Sequence, residues 1–195
     1  MRSTKRKLAR AAPQATPHTP GPGAILLVLL AAFSLGAQNP SDARQQSLQY
    51  RIKAAFLLNF TKFVDWPPAE WPDSRAFAIC ILGDDPLGLA LEKITAGETV
   101  NGRKLNVLRI DESFRKPCQV LFVSKSEKDY SQILANAQRG VLTVGEEDVF
   151  LHNGGMIAFV VENRQVRFDV DLTPAAKAGL KISSKLLNVA RSVEE

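Results

Sequence analysis

Residues 48–195 read as one α/β domain, a three-layer sandwich with helices on both faces of a mostly parallel sheet of five or six strands, with an antiparallel hairpin at one edge. Three observations predict it. From Phe77 onward, apolar runs of strand length alternate with helical segments. Those runs are apolar at nearly every position, as in parallel strands covered on both faces. One late pair of runs is separated only by Asn163 and Arg164, which suits a hairpin turn.

The opening ten residues, MRSTKRKLAR, hold five basic side chains and no acid, and an unbroken apolar run follows from Ala24 to Phe33. That is the layout of a secretory signal, so residues 1–37 are expected to form a cleaved signal peptide. The run through Ala37 is about 14 residues, short of the roughly 17–25 that a bilayer span needs, which disfavours an uncleaved anchor. Loss of the leader removes Arg2, Lys5, Arg6, Lys7 and Arg10, so 25 basic residues become 20 against an unchanged 20 acidic ones. A formally neutral mature domain gives no argument for nucleic-acid or anionic-membrane partners. Residues 38–47 are polar and expected to be flexible.

YRIKAAFLLNFTKFVDWPPAEW, from Tyr50 to Trp71, then opens a helix. At 100° per residue, Ile52, Phe56, Phe60, Phe63 and Val64, with Leu57 and Tyr50 nearby, make one wide apolar face suited to packing on a sheet. Arg51, Asn59, Thr61, Lys62 and Asp65 lie opposite, and charges of both signs there argue against a membrane-surface helix. Leu58 and Trp66 fall among the polar residues and should be exposed. Scattered exposed apolar residues are ordinary; a partner-binding patch in which Leu58, Trp66 and Trp71 supply buried area is the functional alternative.

AFAICILG reads as a buried strand, followed by a short helix with an Asp N-cap from DDP and Pro86 at its first position. NGRKLNVLRI turns at Asn101-Gly102 into a second strand, and CQVLFVSK is a third. SEKDYSQILANAQRG should be an amphipathic helix from Ser126 to Gly140, and VLTVGE a fourth strand. MIAFVVENRQVRFDVD gives the hairpin. Thr173 and Pro174 should cap and begin the next turn, Gly179 should end it, and Ser183 should restart a helix that closes the chain. In an exported domain an even pair of cysteines reads as a Cys80–Cys118 disulfide, with two buried thiols as the alternative.

Catalytic patterns are weak. His152 is the single histidine after the leader and reads as a loop residue beside Gly154-Gly155; there is no G-x-S-x-G elbow. GETVNGRK has P-loop-like glycine spacing but leads into a strand and lacks the Lys-Ser/Thr pair. Asp84 and Asp85 end the first strand, where open α/β sheets bind ligands. They could hold Mg²⁺ or exchange protons, but capping the following helix is the simpler role. No metal site or cofactor is expected.

Taken in order, IKAAFLLNFTKFVDWP, AICILGDDPLG, NGRKL, CQVLFVS, VLTVGE, GGMIAFVVENRQVRFDV and AGLKISSKLLNVA resemble the YfiR-like family of periplasmic proteins, from about Tyr50 to Arg191. The ordered set carries the resemblance; no single segment is diagnostic. It implies a non-enzymatic periplasmic repressor that binds the periplasmic sensor region of an inner-membrane diguanylate cyclase. Holding the cyclase inactive would lower cyclic di-GMP output and biofilm growth, with release linked to redox or envelope stress. A homodimer is compatible with this reading, as is the absence of direct membrane insertion after signal cleavage. The family often has Tyr at the position of Leu58 and His at that of Gln119, and some members carry a second cysteine pair. Any redox response here would rest on Cys80 and Cys118. The alternative function is a periplasmic small-ligand sensor acting with a histidine kinase or transporter; an envelope hydrolase is a more distant one.

Overall fold

One helix of 24 residues, α1 (Pro40–Phe63), lies across the domain in the computed structural model, which describes residues 40–67, 76–111, 118–137 and 139–195. The expected signal peptide and Trp71 fall outside those residues. Helix α1 starts ten residues before Tyr50, so the polar segment ahead of the apolar stretch is helical rather than a separate lead-in. Its first turn carries Asp42 and its last Lys62, each suited to the partial charge at that end. Ala54, Leu57, Phe60, Thr61 and Val64, spaced three or four apart, are buried. The centre of the buried stripe is turned from the expected one: Ile52 is exposed, Phe56 and Phe63 are half-buried, and Thr61 is inside with its hydroxyl donating to the Leu58 carbonyl at 2.6 Å.

The strands are β1 (Val64–Asp65), β2 (Phe77–Leu82), β3 (Thr99–Val100), β4 (Arg103–Ile110), β5 (Val120–Val123), β6 (Leu142–Glu146), β7 (Ile157–Glu162), β8 (Gln165–Asp171), β9 (Lys181–Ile182) and β10 (Ser192–Glu194). The main sheet has eight of them, in the order β10-β8-β7-β6-β5-β2-β4-β3, instead of five or six. Its parallel centre, β4-β2-β5-β6-β7, agrees with the apolar runs. Two- and three-residue strands at the edges, β3 and β10, are too short for alternation to show. Strand β1 pairs with β9 outside this sheet.

Six helices complete the described residues: α1, α2 (Gly88–Thr95), α3 (Tyr130–Ala135), α4 (Asp148–His152), α5 (Leu172–Lys177) and α6 (Ser184–Leu187). Along β2, Phe77, Ile79 and Ile81 enter the core under α1, while Ala78, Cys80 and Leu82 point to the other face. The α1 face also receives residues of α2, α5 and α6. Among the described residues, the opposite face has only the short helices α3 and α4 and the patch around Cys80 and Cys118. Helices thus lie on both faces of a mostly parallel sheet, but the regular three-layer sandwich expected is replaced by a lopsided one. Phe56, Phe60, Phe159 and Phe168 lock α1 to β7 and β8, with Phe60 5.8 Å from Phe159 and 5.2 Å from Phe168 between ring centroids.

Local chemistry moves several boundaries. Helix α3 is capped by Asp129, whose carboxylate accepts from Gln132 N at 3.0 Å, and not by Ser126; it ends at Ala135, well before Gly140. Asp171, rather than Thr173, caps α5 by accepting from Thr173 N at 2.8 Å. Ser183 does cap α6, accepting from Lys185 N at 3.3 Å, but that helix lasts four residues and the chain ends in β10 instead. The β7–β8 hairpin turns at Asn163 and Arg164, both at positive φ (49° and 65°), the geometry a two-residue turn between twisted strands requires. His152 ends α4 rather than lying in a loop. Beside it, Gly155 is needed because a Cβ there would stand 2.2 Å from the Phe150 ring.

Candidate binding surface at the carboxyl ends of the strands

The connection leaving β2 runs through α2 on the α1 face toward β4, and the one leaving β5 runs through α3 on the opposite face toward β6. The carboxyl ends of β2 and β5 thus flank a topological switch point, the usual ligand crevice of an open α/β sheet. Here the chain fills it. Asp84 N donates to Ser126 Oγ at 2.9 Å, and a Cβ on Gly83 would stand 2.6 Å from both Ser126 Oγ and Glu127 Oε1.

Asp85 is a capping residue: its Oδ1 accepts from Leu87 N at 3.0 Å and Gly88 N at 2.8 Å, while Pro86 precedes the helix instead of opening it. Its second oxygen meets Arg109, which also reaches Glu92 at 2.7 Å. The hydrogen bond that Arg109 donates to Glu92, then the charge of Asp85 and the hydrogen bond to it, and the charge of Glu92, raise the Arg109 pKa against the opposing effect of burial. Asp84 is exposed and takes no part in the cap. Among the described residues, no group of three or more His, Cys, Asp or Glu side chains is placed to hold a metal ion. His152 Nδ1 donates to the Asp148 carbonyl of its own helix at 2.9 Å. The P-loop-like segment is the β3–β4 hairpin, turning at Asn101 (φ 52°) and Gly102 (φ 77°).

Further along the same rim, Lys53 of α1 forms a buried ion pair with Glu146 at the end of β6, and its ammonium lies 4.7 Å from the Tyr50 ring centroid. Glu147, the next residue, has φ 69° and ψ 154°, a region that residues other than glycine occupy only under strain. A cavity of about 440 Å³ opens over this pair, lined also by Gln49, Lys125 and Phe159. Neither Lys53 nor Glu146 was among the expected site residues. The available signal was a lone lysine at a core-facing helical position and a glutamate ending an apolar strand.

A second depression, of about 730 Å³, lies between the first half of α1 and the start of α2. Ala43, Ser47 and Tyr50 floor one side; Leu87 and the exposed Leu89 form the other.

Of the residues marked for partner contact, Leu58 and Trp66 sit elsewhere. Leu58 is half-buried against the main core, and Trp66 is half-buried against Phe77, so neither stands free on a polar side as the helical projection suggested. Trp66 follows β1, where the helix has ended, so helical phasing does not apply to it. Cys80 and Cys118 are joined by a disulfide with Cα atoms 5.9 Å apart, buried beside Leu108 and Leu121 on the thinly covered face. Gln119, next to it, is buried; its Oε1 accepts from Ala78 N at 2.5 Å and its carbonyl from Trp66 Nε1 at 3.2 Å.

No helix among the described residues is long and apolar enough to cross a membrane. A family model described as YfiR/HmsC-like matches residues 50–191, well over half of the chain. The matched stretch ends on Arg191, whose guanidinium holds Asp169 of β8.

Proposed function

The chain belongs to the YfiR/HmsC-like family, and on that premise we propose that it is a non-enzymatic regulatory protein of the periplasm. It binds the periplasmic sensor region of an inner-membrane diguanylate cyclase, represses it and lowers cyclic di-GMP output. The observation that carries this reading is the family match across residues 50–191, nearly the whole described domain. The geometry is compatible with it. The crevice where an open α/β enzyme would hold its substrate is filled by Ser126 and Glu127, and Asp85 is engaged by helix α2 and Arg109.

Deletion of the gene should raise intracellular cyclic di-GMP, and a copy carrying its leader should restore the low level while a leaderless copy should not. Unchanged cyclic di-GMP after deletion contradicts the reading.

A second reading, a small-ligand sensor acting with a histidine kinase or transporter, is favoured by the cavity over Lys53 and Glu146 and by the strained backbone of Glu147 beside it. The two readings are compatible if occupancy of that cavity alters partner affinity.

A further inference from the structure

Helix α1 is about 36 Å long, and its first half is far less covered than its second. The face buried at Ala54, Leu57 and Phe60 continues backward through Tyr50, half-buried against the core, to the exposed Ser47 and Ala43. Ala43, Ser47 and Tyr50 form one wall of the 730 Å³ groove, with the start of α2 opposite. The residues of that wall are small or neutral, which lets another backbone approach closely, and Leu89, 68 % exposed, stands at the groove's edge.

The charges are one-sided. Arg51 and Lys93 are the charged residues lining the groove, both are exposed, and neither has an ion-pair or hydrogen-bond partner among the described residues. Two acids close to them in sequence, Asp85 and Glu92, are already held by Arg109. A second copy placed across a two-fold axis here would set Arg51 and Lys93 against their own equivalents, so self-association through this face is opposed.

We propose that the groove between α1 and α2 is the docking site for an acidic amphipathic helix of the regulated partner, with carboxylates meeting Arg51 and Lys93 and an apolar side chain covering Leu89 and Tyr50. This rests on the regulatory reading above and names the surface it uses. The charge pair steers and orients the segment, and burial of Leu89 holds it.

The test uses a fluorescein-labelled 14-residue peptide with leucines at helical spacing flanked by glutamates, and a second peptide with each glutamate replaced by lysine. Binding is read by anisotropy, and amide shifts map the contact. The acidic peptide should bind saturably, perturb residues 43–51 and 86–93, and weaken as salt rises. R51E/K93E should weaken it about tenfold or more without changing the melting temperature, and Ser47→Trp, which fills the groove, should do the same. No binding, equal binding of the two peptides, or binding indifferent to R51E/K93E and Ser47→Trp overturns the proposal. Capture of the cyclase's sensor region separates the two claims. If wild-type protein captures none, the regulatory reading fails and the peptide result still decides the groove. Capture undiminished by R51E/K93E overturns the groove and leaves the regulatory reading standing.

Discussion

Trp66 stands edge-on to Phe77, ring centroids 5.0 Å apart and planes 89° to one another, and its indole N–H donates to the Gln119 carbonyl at 3.2 Å. The side chain thereby ties the segment after α1 to the first residue of β2 and to the residue just before β5. Trp66→Ala should destabilise the domain by about 2 kcal/mol, less than the roughly 3–5 of a fully buried aromatic because the ring is partly exposed. Urea denaturation measures it. A neutral substitution would mean that the indole contributes no packing.

Lys53 and Glu146 should behave as a coupled pair. Lys53→Met leaves a buried carboxylate whose one remaining donor among the described residues is the Lys125 backbone N–H, 3.4 Å away, and should cost about 3–5 kcal/mol. Adding Glu146→Gln should recover much of that loss, since the remaining amide carries no charge. A double-mutant cycle in chemical denaturation reads the coupling; additive losses would show that the two side chains act independently.

Much of this fold was legible because its centre is repetitive. FAICIL, VLFV and LTVGE are runs that only a covered parallel strand accommodates, and Asn163-Arg164 sets the hairpin. The rest depended on partners distant in sequence. Strands β3 and β10 are two and three residues long and exist through the neighbours that pair with them. Ser126 looked like a cap, but its Oγ accepts from Asp84 N across the switch point, leaving Asp129 to start α3. The phasing of α1 failed at Trp66 because the chain becomes β1 at Val64. The groove beside α1 was not legible at all, since it arises where the first half of α1 meets the start of α2, some forty residues away in sequence.

The disulfide should contribute stability that grows with the logarithm of the loop it closes. Cys80 and Cys118 are 38 residues apart, for which the chain-entropy relation gives up to about 4 kcal/mol. The Cys80→Ala/Cys118→Ala protein should unfold at lower urea concentration than the oxidised wild type by a margin of that order. Equal midpoints would show that the crosslink does not restrict the unfolded chain.

Asp169 should make the domain acid-sensitive. Burial alone would raise its pKa, but hydrogen bonds from Arg191 and Ser192 and the Arg191 charge outweigh that and hold the carboxyl below its ordinary value. Arg191 Nε meets Asp169 Oδ1 at 2.9 Å, and its Nη2 meets Oδ2. A depressed folded-state pKa gives stability that is fully present above the unfolded value of about 4 and is lost as pH falls through the lower folded value. Melting temperature followed downward from pH 5 should fall more steeply for wild type than for Asp169→Asn, which should already be less stable at pH 7 because Arg191 loses its partner. Parallel pH profiles would remove Asp169 from the acid response.

The proposed repression of a cyclase is tested most directly by reconstitution. The full-length membrane diguanylate cyclase is placed in lipid nanodiscs, the mature protein is titrated in, and cyclic di-GMP formation is followed. Saturable inhibition, with binding to the sensor region at the same protein concentration, is the predicted result. Cyclase output that stays constant at saturating protein, or inhibition that persists after the sensor region is deleted, contradicts it.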